Sequence, residues 1–271
     1  MLSTGAELLP FELLVMDVGT LVVGYVLFRE SRKYAKNYVI SQVVGTALII
    51  AGFLIDSNYR SFSGAILVAG FLAKLGIFPF LWLHSVVLRS NLPTSLFVCA
   101  NTSIVLLMSY ISRSLMNQTA VVVFGLLALL FSAISAIYDK KIKSSVSSLI
   151  AAQTAYMFVS FSFLPLFSLF IAVISDFLVK FTLLASEERR DDIAQIIVAL
   201  YFAEMPPFPT FAEEFEILER SFNIGIILNI AGLLMMVALL MHRVKGGKSL
   251  GARIIGAILL LLGLIVLMRE I

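Results

Sequence analysis

Long apolar runs, cut at short intervals by small clusters of charge, alternate along the whole chain. A run that can cross about 30 Å of hydrocarbon predicts a transmembrane helix. Ten such runs are present, near residues 11–28, 37–55, 62–83, 93–112, 119–138, 145–162, 164–185, 193–218, 223–241 and 251–268. No linker divides them, so the pattern predicts one all-α transmembrane domain over residues 1–271, a polytopic helix bundle. Two of the runs are interrupted. The third carries Gly76 and Pro79, and the eighth carries Pro206, Pro207 and Pro209. Proline has no N–H to donate and clashes with the preceding turn, so neither run can be one regular helix.

Composition agrees with this reading and narrows it. At 60% hydrophobic and 14% charged residues, the chain lacks the polar surface of a water-soluble enzyme. Alternating the loops across a bilayer places fourteen Lys and Arg on one side and four on the other, with Lys74 and Lys180 inside spans. The richer side is expected to be cytoplasmic, which puts both termini outside. Because the basic residues are dispersed over several short loops and form no single patch, nucleic acid is not an expected partner. The N-terminus has no signal-peptide pattern, and the first span is expected to stay in the protein. Cys99 is the only cysteine, and His84 and His242 are the only histidines. No thiolate set for an iron–sulfur cluster and no metal-ligand spacing follows, so no cofactor and no redox active site are expected in this chain.

The candidate chemistry lies in charges placed inside spans, where they are costly and mark ion pathways or paired structural groups. Glu12 and Asp17 lie in the first span, Lys74 in the third, Asp176 and Lys180 in the seventh, and Glu204, Glu213 and Glu214 in the eighth. Asp176 and Lys180 are one helical turn apart, a spacing that lets the pair neutralise itself and also serves packing alone. Asp17 is near the outer half of its span and reads as an interfacial residue. Lys74 precedes a helix break, and Glu214 follows one. An interrupted helix with an ionisable neighbour in each half of the chain is the pattern of transporters built from inverted repeats, here about 11–112 and about 119–241, with 251–268 as an extra helix.

The same residues resemble a family: the antiporter-like membrane subunits shared by respiratory complex I, multisubunit Na+/H+ antiporters and energy-converting membrane-bound hydrogenases. Phe11-Glu12-Leu13-Leu14 resembles the family's fifth helix with its glutamate, and Lys36-Asn37-Tyr38 with Ser41-Gln42 and Gly45-Thr46-Ala47-Leu48 resembles the sixth. Lys74-Leu75-Gly76-Ile77-Phe78-Pro79-Phe80, with Pro93-Thr94-Ser95, resembles the broken seventh helix and the start of the eighth. Asp139 to Lys143 with Ser147-Ser148 and Gln153-Thr154-Ala155-Tyr156 resembles the tenth, and Asp176 to Lys180 with Leu183-Leu184 the eleventh. Pro206-Pro207-Phe208-Pro209-Thr210-Phe211 with Glu214-Phe215 resembles the broken twelfth.

The departures are specific. Ser103 to Leu106, where the eighth helix usually carries a lysine, has none, and Asn101 is the nearest polar amide. Asp176 replaces a histidine, and Glu204 stands where glycine is usual. The family's first four helices have no counterpart, so a neighbouring subunit is expected to cover the incomplete first repeat.

The resemblance implies an ion-translocating subunit, for H+ or Na+, in a larger redox-driven complex of a prokaryotic cell membrane. Its implied partners are other membrane subunits, peripheral iron–sulfur redox subunits and the lipid bilayer. A non-conducting scaffold and a subunit of a multisubunit Na+/H+ antiporter are the alternatives. The implied ion-translocation residues are Glu12, Lys74, Asp176, Lys180 and Glu214. Lys74 would bind and release the proton and Glu12 would modulate it, while Ser144, Ser147, Ser148 and Thr154 would hold water between the groups.

Overall fold

The structure is a computed structural model that describes residues 3–55, 59–139, 141–164, 166–189, 192–202, 217 and 221–246. The break expected at Pro206 to Pro209, Glu204, Glu213, Glu214 and the run at 251–268 lie outside the described residues. Glu12 falls within a described helix, but its side chain does not fall within the description.

Among the described residues the chain is helical and forms no strand. The helices are α1 (Ser3–Glu30), α2 (Arg32–Leu54), α3 (Arg60–Leu75), α4 (Trp82–Arg89), α5 (Leu92–Ile111), α6 (Gln118–Tyr138), α7 (Ile142–Ser160), α8 (Leu166–Arg189), α9 (Asp192–Phe202) and α10 (Phe222–Gly246). Local chemistry sets several ends. Asn91 and Asn117 cap α5 and α6, their side chains accepting from the backbone N–H of Thr94 and Ala120. Gly76 ends α3 in the left-handed region, at φ 68°.

That ending is the interruption expected in the third span: α3 stops at Leu75 and a new helix starts at Trp82. Between them lie Pro79, whose peptide bond to Phe78 is cis, and Leu81 at φ 51°. Gly76 also passes under the Trp82 ring, where a Cβ would collide with the indole, so no other residue fits without moving the break.

Polarity and burial run opposite to a soluble bundle. Every residue of α7 from Ser145 to Ser160 is buried, serines, Gln153 and Thr154 included. By contrast, α6, with mean hydropathy 2.6, leaves Val123, Phe124, Leu127, Phe131 and Ile134 exposed. The outer face of α1 is likewise apolar and exposed, at Phe11, Leu14, Val18, Leu21, Val22, Tyr25 and Phe28. Apolar outside and polar inside is the arrangement that a bilayer selects, because lipid rewards no burial of apolar side chains. Among the described residues, four stretches, Arg32–Leu54, Leu92–Ser114, Gln118–Tyr138 and Phe222–Met241, are long and apolar enough to cross a membrane by length and composition alone. The protein is an integral membrane protein. Helices α3, α4, α7 and α8 are shorter or more polar.

The ends of the helices sort into two levels. At one level, Glu30 accepts from the Asn91 N–H, Arg89 donates to Tyr34, and Lys143 donates to the Ser90 carbonyl. At the other, Arg60 donates to the Ser114 carbonyl, Asn117 to Ser61, and Arg113 to the Leu164 carbonyl. The loops that the charge pattern assigns to the basic side are thus held together at one end of the bundle.

Packing partners also recur in chain order. Helix α1 packs on α2 and α5, α2 on α3, and α3 on α5; α7 likewise packs on α8 and α10, α8 on α9, and α9 on α10. Helix α6 lies across α7 and α10. No described helix takes the corresponding place across α1 and α5, and the outer face of α1 is open there.

Candidate functional site

The end of α3 builds the first half of the site. A helix leaves its last carbonyls without partners, and inside a membrane each must find one. Here the Leu72 carbonyl accepts from the Gly76 N–H, the Ala73 carbonyl from the Trp82 indole at 2.7 Å, and the Lys74 carbonyl from the Gln42 amide at 2.8 Å. The carbonyls of Leu72, Ala73 and Lys74 at the α3 end of the break thus each have a donor, and Lys74 sits in the last turn, where the partial negative charge of a helix C-terminus favours a cation. Its ammonium donates to Asp17 Oδ1 of α1 at 2.7 Å. Thr46 of α2 donates to the same oxygen at 3.0 Å.

Exposure in this pair is unequal: Lys74 is 0% exposed and Asp17 43%. The carboxylate opens into a groove of about 650 Å³ between α1 and α2, lined by Thr20, Leu21, Gly24, Tyr25, Val39, Gln42, Val43, Thr46, Ala47 and Ile50. The cation is thus enclosed, while its counter-charge faces the outside of the bundle.

The second half is closed on all sides. Asp176 and Lys180 of α8 pair at 2.7 Å, and both are 0% exposed. Asp176 Oδ2 also accepts from Ser103 of α5 at 2.7 Å, and Lys180 donates to Thr102 at 3.3 Å. Asp176 Oδ1 is buried with no hydrogen-bond partner. The free thiol of Cys99 is buried one turn earlier on α5. Helix α5 packs against both α1 and α8, so it stands between the two lysine pairs.

No protein-family model matches the chain, and no curated protein matches it. A solved structure does. One chain in the structure of the Mrp complex from Dietzia sp. DQ12-45-1b is similar with a TM-score of 0.61, at 12% sequence identity, over 77% of this chain and 49% of that one. The present chain spans about half the length of the solved chain it matches. At this identity the likeness is one of fold.

Of the residues singled out in the sequence, the structure brings Asp176 and Lys180 together and places Lys74 at the helix break. The carboxylate on Lys74 is Asp17, whose place near the outer half of the first span reads in the sequence as interfacial. A signal for Asp17 was present. Asp17 and Thr20 are spaced three apart in the first span, and Gln42 and Thr46 four apart in the second, so each pair shares a helix face. Ser147 and Thr154 spend their hydroxyls on the carbonyls of Ser144 and Ile150, while Ser148 donates to Asp139 at 2.9 Å. His84 is partly buried, its Nε2 unpartnered, and has Asp139 and the Ser144 backbone as electrostatic neighbours. Among the described residues, no group of three or more His, Cys, Asp or Glu could hold a metal ion.

Proposed function

We propose that this protein is an antiporter-like membrane subunit that moves H+, or Na+, within a larger membrane complex. One observation carries the reading: a fully buried lysine in the last turn of a broken helix, paired with a carboxylate that opens to the outside of the bundle. Burial disfavours the ammonium and the carboxylate favours it, so any movement that separates Asp17 from Lys74 changes the lysine's hold on its proton. The Asp176–Lys180 pair, sealed inside the second half, is the second charge-bearing station. Similarity in fold to a chain of the Mrp complex supports a place in a multisubunit assembly. The open face of α1 is where a neighbouring membrane subunit docks. Peripheral iron–sulfur partners belong to the sequence resemblance alone; companions that co-purify from native membranes in mild detergent decide whether redox chemistry or an ion gradient drives the complex.

The test is ion flux through the assembled complex carrying Lys74→Ala. With the complex present at wild-type level, coupled flux falls by at least about tenfold, the scale expected when a positioned proton carrier is lost. Unchanged flux would make the chain a scaffold, a reading that the absence of a lysine between Ser103 and Leu106 favours.

A further inference from the structure

Helices α1 and α2 double back on each other at Ser31, and the groove of about 650 Å³ follows the seam between them. Its floor is buried and polar at Thr20 and Gln42. Its rims, Leu21 and Tyr25 of α1 with Val39, Val43 and Ile50 of α2, are apolar and exposed. The Asp17 carboxylate stands at the inner end. Inside a bilayer an apolar-walled groove of this kind takes up hydrocarbon, because water needs several polar partners to stay in it.

The other end of the groove leads to charge. Arg29 lies over the Tyr25 ring, its guanidinium carbon 5.1 Å from the centroid, so a cation stands at the mouth. On the facing helix Lys36 is one turn from Val39, and Arg32 and Lys33 occupy the corner between. All four are exposed, and among the described residues none of them is in an ion pair. Glu30, the one acid of this corner, accepts from the Asn91 N–H. Depth fits as well. Asp17 and Arg29 are separated by about 18 Å of helix at the usual rise per residue, and half the hydrocarbon core of a bilayer is about 15 Å. With Asp17 near the midplane, the four cations stand among the headgroups.

We infer that the seam between α1 and α2 is a binding site for one anionic phospholipid, its phosphate held by Arg29, Arg32, Lys33 and Lys36 and one acyl chain laid along the groove to Asp17. Guanidinium groups bind phosphate through paired hydrogen bonds, and free cations at headgroup depth select an anionic lipid over a neutral one. A neighbouring helix fits less well. Laid along α2 from Val39 to Ile50, a helix of about 10 Å diameter fills about 1,300 Å³, about twice what the groove holds. The outer face of α1 at Phe11, Leu14 and Val18 stays open to a neighbouring subunit. A bound tail covers the half-exposed carboxylate and keeps water from it, which strengthens its attraction to Lys74. The site does not depend on ion transport: the tail covers Asp17 whether the pair carries an ion or only holds the helices.

The test is photo-crosslinking in the intact complex, reconstituted into phosphatidylcholine vesicles. They contain a trace of a lipid with a diazirine in its acyl chain, as either phosphatidylglycerol or phosphatidylcholine, and labelled residues are mapped by peptide mass spectrometry. At Leu21, Tyr25 and Val43 the phosphatidylglycerol probe is expected to label at least about fivefold more than the phosphatidylcholine probe, the factor that one basic side chain near a membrane surface contributes. Val123 and Phe124, exposed on α6 toward the opposite level, should label equally with both. Arg29→Gln with Lys36→Gln is expected to bring the two probes level in the groove. Ala47→Trp places an indole in the path of the tail and should lower groove labelling by both probes, with α6 unchanged. The headgroup comparison and the two glutamine substitutions, which alter exposed side chains only, decide the matter even where Ala47→Trp fails to fold. Equal labelling by the two probes in the wild-type groove makes the lipid ordinary boundary lipid and overturns the site. So does a preference for phosphatidylglycerol that survives the loss of Arg29 and Lys36. A groove that neither probe labels, while α6 is labelled, is covered by a neighbouring subunit and overturns the site equally. Flux that survives Lys74→Ala removes the transport reading and leaves the labelling result standing.

Discussion

At the scale of single residues, the decisive fact is that both membrane lysines are fully buried and each has one carboxylate at 2.7 Å. Removing one partner of a buried pair leaves an uncompensated charge, which costs about 3–5 kcal/mol, whereas removing both leaves none. Asp176→Leu is therefore expected to destabilise the purified protein by roughly that amount in detergent unfolding, and Asp176→Leu with Lys180→Leu to recover most of it. A double variant as unstable as the single one would show that the site depends on its hydrogen bonds to Thr102 and Ser103 more than on charge balance. Lys74 and Lys180 were legible in the sequence, because a lysine inside an apolar run has few innocent explanations. Asp17 was not singled out as a partner, because its role depends on which face of α1 meets α2 and α3. That is a three-dimensional fact, only hinted at by Thr20, Gln42 and Thr46.

At the scale of elements, the break between α3 and α4 is where backbone chemistry and the proposed function meet. Pro79 announced an interruption, but its shape comes from groups the run of apolar letters does not distinguish. Gly76 turns the chain, the Trp82 indole and the Gln42 amide take the freed carbonyls, and the new helix extends to Arg89. Gly76→Ala combines a left-handed backbone with a collision against Trp82 and is expected to cost about 1–3 kcal/mol or more, read as a fall in the unfolding midpoint. A neutral effect would mean that the break relaxes easily and does not fix Lys74. Trp82→Phe keeps most of the ring but leaves the Ala73 carbonyl without its donor, a loss of about 1–3 kcal/mol. The second expected interruption, at Pro206 to Pro209, and Glu214 beyond it lie outside the described residues.

At the scale of the whole molecule, hydropathy foretold an all-helical membrane protein, and the charge pattern foretold which loops share an end. The structure gathers the loops around Glu30, Ser90 and Lys143 at one level and those around Arg60, Ser114 and Leu164 at the other. If the basic level is cytoplasmic, cysteines introduced at Ser31 and Lys141 will react with an impermeant thiol reagent from that side only, and a cysteine at Asn117 only from the other. Native Cys99, fully buried, should stay unlabelled in all of them. Labelling in the reverse sense would invert the orientation while leaving the fold untouched. The exposed apolar face of α1 and the groove beneath it are not legible in the sequence, because exposure depends on what lies across the helix.

The central claim is that the Asp17–Lys74 pair carries the ion and does not merely hold three helices together. It is tested most directly by measuring ion flux through the assembled complex with both charges removed at once, as Asp17→Asn with Lys74→Gln. No unpaired charge remains in that variant, so folding and assembly should stay near wild type, while coupled flux should fall to background. Flux at the wild-type rate in the doubly neutral protein would contradict the account and leave the pair a structural bridge between α1 and α3.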